Sequence, residues 1–195
     1  KYEDAIKYDR ISFNEVLDKK PLREGYDFNQ FSEKEAGKDQ LKILVFGSSW
    51  FLDSWFYTNK ITQDMGINID IHGYYMGGSC FDEWISLYNN TLTPIGDGSR
   101  QVYQYRSQNG ADYTVSNVSG SGLSATQYRT NWYNDLTSKD FDLIVFQQGA
   151  KQAFDFDKYW SHYDELASII YENAGDNTVI GLNSTWTPSL GSTSV

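Results

Sequence analysis

The sequence predicts an α/β protein: a parallel sheet with helices on both faces. Three observations carry this. Short apolar-rich runs at 42–46, 67–75, 141–148 and 177–186 are each bounded by polar residues or glycine, as strands buried on both sides are. Segments with helical spacing stand between them. The strand-like runs end in glycine or small polar residues, reading "GSS", "GYYMGGS", "QQGAKQ" and "NSTW", and in open parallel sheets such ends share one rim where ligands collect.

In chain order, residues 1–40 are charged and uneven, and Pro21 and Gly25 interrupt them. They read as an N-terminal extension or linker ahead of a domain at 41–195. Lys42–Phe46 is the first strand, and Trp50–Gln63 a helix capped by Ser48 or Ser49 and ended by Gly66. "INIDIHGYY" is the second strand, followed by a Gly77-Gly78 turn into a helix, "FDEWISLYNN". Residues 100–106 and 112–117 alternate in period two about Asn109-Gly110, the pattern of a hairpin insertion. "TQYRTNWYNDLTS" is a helix, "FDLIVFQQ" the third buried strand, 155–174 a long amphipathic helix and "NTVIGLNSTW" the fourth strand.

The bulk composition excludes several functions. At 195 residues and 39% hydrophobic content the chain can build a real core. Its net charge of −10 argues against nucleic acid and anionic membranes, which need clustered Lys and Arg. No apolar run is long enough for a transmembrane helix. The single cysteine, Cys80, rules out an intrachain disulfide and reads as a small buried residue. Only His72 and His162 could serve as a histidine base. His72 is expected at the end of the second strand, near the rim, and His162 on the long helix beside Tyr159 and Glu165, where the acids form a solvated face rather than a metal site.

At the rim, "FGSSW" supplies a strand end, a small residue, two hydroxyls and a helix start. A nucleophilic serine needs such a turn, with its own N–H free to hold an oxyanion; ordinary N-capping uses the same residues.

The order of motifs resembles the SGNH (GDSL-type) hydrolase superfamily, in particular an uncharacterised, bacterial esterase-like branch. "ILVFGSSWFLDSW" is similar to its first block, which makes Ser49 the nucleophile, Ser48 the middle residue and Asp53 a following acid. "YYMGGSCFDEW" resembles the second block, which implies that Gly78, with Gly77 beside it, supplies an oxyanion N–H. "DLIVFQQGAKQAF" resembles the third, with Gly149 at its glycine and Gln152 at its asparagine; either Gln148 or Gln152 would supply the side-chain donor. "STW" matches a Thr-Trp landmark and adds Trp186 to the substrate side. The resemblance covers about residues 41–188.

It implies a flavodoxin-like three-layer α/β/α fold, without metal or cofactor, in a secreted, periplasmic or cell-surface serine esterase that removes acyl groups, acetyl above all, from small molecules or glycans. The chain departs from the pattern in having Ser48 where Asn or Asp is usual and in lacking the block Asp-x-x-His that brings the base and its orienting acid. The expectation is therefore either part of a longer hydrolase or a non-catalytic module that binds a glycan or protein on the same scaffold. A third reading, a phosphate-cradling loop at 47–49, suffers from the absence of nearby Lys or Arg.

Overall fold

The computed structural model describes residues 40–49, 55, 58–91, 102–108, 114–117, 125–149, 151–153 and 155–183, all within one compact unit. The expected N-terminal extension, Asp53 and Trp186 lie outside them. The elements are β1 (Leu41–Gly47), α1 (Thr58–Asp64), β2 (Ile69–Met76), α2 (Phe81–Tyr88), β3 (Val102–Gln108), β4 (Thr114–Asn117), α3 (Ala125–Thr137), β5 (Leu143–Gln147), α4 (Phe156–Asn173) and β6 (Val179–Asn183).

The six strands form one sheet in the order β4-β3-β2-β1-β5-β6. β2, β1, β5 and β6 are mutually parallel. The expected hairpin insertion does form, but it does not stand apart. β3 pairs antiparallel with β2, and β4 with β3, so the sheet is mixed rather than wholly parallel. Hairpin strands can only be antiparallel neighbours, and the free edge of β2 offers them a ladder to extend.

The inner parallel strands β1 and β5 bury both faces, which explains their unbroken apolar runs. Along β1, Leu44 and Phe46 enter one core while Ile43 and Val45 enter the other. The larger core lies under α2, α3 and α4 and is built on aromatics. The Phe46 ring lies 4.9 Å from that of Trp84 and 5.6 Å from that of Trp132. The smaller core joins Ile43, Val45, Ile69, Ile71, Tyr105 and Val145, with Trp55, ahead of α1, packed against it. Gly73 pairs with Tyr105 across β2 and β3, and the Tyr105 ring occupies the space a side chain at Gly73 would need.

At the amino end of the sheet a reciprocal clamp fixes β1 against β5. Lys42 N donates to Asp142 Oδ2 at 2.8 Å, and Asp142 N donates to Lys42 O at 2.9 Å. The amino end of α4 is capped by Asp155, whose carboxylate accepts the Lys158 N–H. Counted among themselves, the parallel strands lie second, first, third, fourth, so the chain reverses direction across the sheet between β1 and β5. In open α/β sheets the crevice beyond that reversal is where ligands bind.

Candidate active site at the carboxyl rim of the sheet

The carboxyl ends of β1, β2 and β5 bring Ser48-Ser49, Gly77–Cys80 and Gln148-Gly149 to one rim. The two serines are in different settings. Ser48 is 2% exposed, and its hydroxyl donates to Gln147 Oε1 at 3.3 Å. Ser49 is exposed, at the start of helical backbone. Its side chain lies near the Tyr75 phenol, at the end of β2 where Tyr75 pairs with Gly47. Of the two serines, Ser49 is the one open to solvent, while Ser48 is part of the sheet's packing.

The second loop turns on Gly78. Ser79 N donates to Met76 O, and Gly78 takes a φ of +64°, a conformation that L side chains adopt only with strain. Space is not the constraint there, since a methyl group would lie 3.7 Å from Lys151 Cε and Nζ. The same distance places the Lys151 ammonium close to Gly78, a positive charge at the rim to which the sequence motifs assign no role. Gly77 precedes Gly78 in this turn.

Gln148 is 1% exposed. Its Oε1 accepts the N–H of Phe81 at 2.8 Å, at the start of α2, and that of Gly149 at 3.1 Å. Two N–H donors on one atom identify it as the oxygen, so the other amide atom is the nitrogen. That Nε2 is buried without a hydrogen-bond partner among the described residues. Buried donors are nearly always satisfied, so this unpartnered one is an informative exception. Gly149 packs so closely on the Ser79 carbonyl that a side chain cannot fit.

Gln152 is committed elsewhere. Its Nε2 donates to Asp82 Oδ2 at 2.9 Å, and its Oε1 meets His162 Nδ1 at 3.2 Å. Of the two candidate amides, Gln148 has an Nε2 with no partner among the described residues, whereas Gln152 has one of its two N–H donors engaged by Asp82.

Cys80 precedes α2, and its N–H donates to Glu83 Oε2 at 2.7 Å, closing the first turn. Burial pushes its thiol up to about 11, Glu83 and Asp82 adding to this, and the thiol donates to Gly149 O. Cys80, Asp82 and Glu83 bring ligand-type atoms within 4.8 Å of one another. Each is already engaged, with Gly149, Gln152 and the Cys80 N–H, so the cluster is accounted for by the helix start it builds.

His72 does not stand at the rim. β2 runs on to Met76, and His72 pairs with Leu44 in mid-strand, about 13 Å short of the strand end. Its Nδ1 meets Asp135 Oδ2 at 3.0 Å; the same carboxylate oxygen accepts from Tyr74 Oη at 2.6 Å and from Arg106 at 2.8 Å. Burial raises the Asp135 carboxyl, but the His72 and Tyr74 hydrogen bonds and the Arg106 charge outweigh it and leave the group below its ordinary value. This cluster ties α3 to β2 and β3.

Fold and rim together define an α/β protein with a mixed central sheet and polar, glycine-containing turns at its topological reversal. Among solved structures, the chain is similar to a DUF4886 family protein from Bacteroides uniformis ATCC 8492. The TM-score is 0.59 at 19% identity, over 76% of this chain and 51% of that one. The likeness is one of fold, and the chain spans about half the length of that protein. No family model and no curated protein matches the chain. No described helix is long and apolar enough to cross a membrane.

Proposed function

We propose that the chain carries the nucleophile side of an SGNH-type serine esterase, secreted or held at the cell surface, that removes acetyl or similar acyl groups from carbohydrate. One observation carries the reading: Ser49, and not Ser48, exposes its hydroxyl at the end of the central strand, where the parallel sheet reverses. The order of the parallel strands, second, first, third, fourth, supports the flavodoxin-like arrangement that the resemblance implies.

In this mechanism Ser49 Oγ attacks the acyl carbon, and the negative charge moves to the carbonyl oxygen. The N–H groups of Ser49 and Gly78 receive it, with Gln148 Nε2 as side-chain donor and Lys151 adding a positive field. Removing one such donor typically costs about 10²–10³ in rate. The proton of Ser49 needs a base, for an unassisted hydroxyl is a weak nucleophile at neutral pH. His72 is held by Asp135 in mid-strand and His162 by Gln152. The base is therefore assigned to an Asp-x-x-His segment outside these 195 residues, and these residues alone should turn over about 10²–10⁴-fold slower than the complete site.

The test is covalent labelling with a fluorophosphonate, mapped by mass spectrometry, alongside hydrolysis of p-nitrophenyl acetate. The expected adduct is on Ser49, lost in Ser49→Ala and kept in Ser48→Ala. Labelling that persists in Ser49→Ala would overturn the assignment. The engagement of both histidines favours one alternative, a module that binds an acylated glycan without cleaving it. That reading predicts ligand binding with no adduct even when the flanking protein is present.

A further inference from the structure

Tyr75 does more than touch Ser49. It pairs directly with Tyr103 across β2 and β3, and the two rings stack at 5.2 Å with 27° between their planes. Directly opposed residues on one face of a sheet are held by the ladder itself, so the stack needs no ordering when a ligand arrives. Both rings are half-buried, each leaving part of its surface in solvent. One member, Tyr75, pairs with Gly47 two residues before the exposed Ser49, and its phenol lies near the Ser49 side chain. The other is contributed by the antiparallel hairpin rather than by the parallel strands.

We propose that the Tyr75–Tyr103 stack is the seat for a six-membered ring in the alcohol half of the ester that Ser49 attacks. The inference rests on the esterase reading and names its substrate class: acyl esters of a ring alcohol, sugar or aryl, in preference to open-chain alcohols. A tyrosine face takes a C–H-bearing or π face of a flat ring, while the phenol rim offers hydrogen bonds to ring hydroxyls. Burial, with the Tyr103 phenol beside it, raises the Tyr75 phenol above its ordinary value, so at neutral pH Tyr75 meets the substrate as a neutral phenol and takes no proton from Ser49.

The test holds the acetyl group constant and varies the alcohol. Ethyl acetate, phenyl acetate and a monoacetylated methyl xylopyranoside are compared in the unaltered chain, Tyr103→Leu, Tyr103→Phe and Ser49→Ala; Tyr103→Thr, a strong strand former, serves if the Leu variant does not fold. Tyr103→Leu should lower the kcat/KM ratio of ring ester to ethyl acetate by about 2- to 10-fold, mainly through KM, and Tyr103→Phe should restore it. The ester that loses most, xylopyranoside or phenyl, tells sugar from aryl alcohol. An unchanged ratio overturns the inference. If hydrolysis survives in Ser49→Ala, the esterase reading falls separately. The stack is then judged by saturation-transfer NMR with methyl xylopyranoside and phenol: transfer lost in Tyr103→Leu supports it, and transfer retained overturns it.

Discussion

The side-chain oxygen of Gln148 holds the Phe81 N–H at 2.8 Å, so the last residues of the β5 limb cap the helix that follows β2. The same oxygen holds the Gly149 N–H. Gln148→Ala therefore strands two backbone donors, each costing about 1–3 kcal/mol if it stays buried. Urea denaturation should show a lower midpoint with an unchanged slope.

Two glycines at the rim should respond to alanine for different reasons. At Gly149 a methyl group runs into the Ser79 carbonyl, a backbone atom that cannot swing away. The expected loss is about 3 kcal/mol. At Gly78 the space is open but φ is +64°, so Gly78→Ala should cost only about 1–2 kcal/mol. Thermal melts of the two variants should rank Gly149→Ala well below Gly78→Ala.

Cys80 should resist alkylation. Its thiol is buried and raised to about 11, so the thiolate is scarce at pH 8. Iodoacetamide should modify the native protein far more slowly than the protein in guanidinium, and modification should track unfolding. Rapid labelling of the folded chain would contradict the placement of Cys80 beneath Gly149.

Acid should unfold the protein partly through Asp135. Its carboxyl is depressed on folding, so it contributes stability that is fully present above the unfolded value, near 4. The contribution is lost as pH falls through the lower, folded value. Asp135→Asn should lower stability at pH 7 and flatten its fall between about pH 5 and 3. Denaturation midpoints across that range, compared with the unaltered chain, give the measurement.

Much of this architecture is legible in the residues. Runs such as Ile43–Phe46 and Leu143–Phe146 are apolar at consecutive positions, which only a strand covered on both faces requires. α2, α3 and α4 fall where periodicity and glycine stops place them. Periodicity says nothing of partners, however. The alternation at 102–117 reveals a hairpin but not that β3 would dock on β2 and make the sheet mixed.

The same limit applies at the site. The strand–glycine–serine pattern offers two hydroxyls; the resemblance picks Ser49 between them, and the fold adds the physical difference, Ser48 being buried and Ser49 exposed. Gln148 and Gln152 are equivalent amides in the sequence. They part only because Phe81 comes to one while Asp82 and His162 come to the other. His72, expected at a strand end, is not there because the strand runs four residues past it, to Met76, with His72 paired to Leu44 inside the ladder. Tyr75 itself could have been found, since a carboxyl-end residue of a strand beside β1 must adjoin the turn that β1 enters.

The clamp between Lys42 and Asp142 joins residues 100 positions apart. During synthesis, the strand that leads into Ser49 emerges long before its β5 neighbour exists, and closing so wide a loop is slow relative to local helix formation. Until then one flank of β1 is an open template for pairing with another nascent chain. Yield from overexpression should therefore be limited by this waiting time rather than by the stability of the finished protein, and slowing translation or lowering temperature should recover more of it than a stabilising substitution elsewhere.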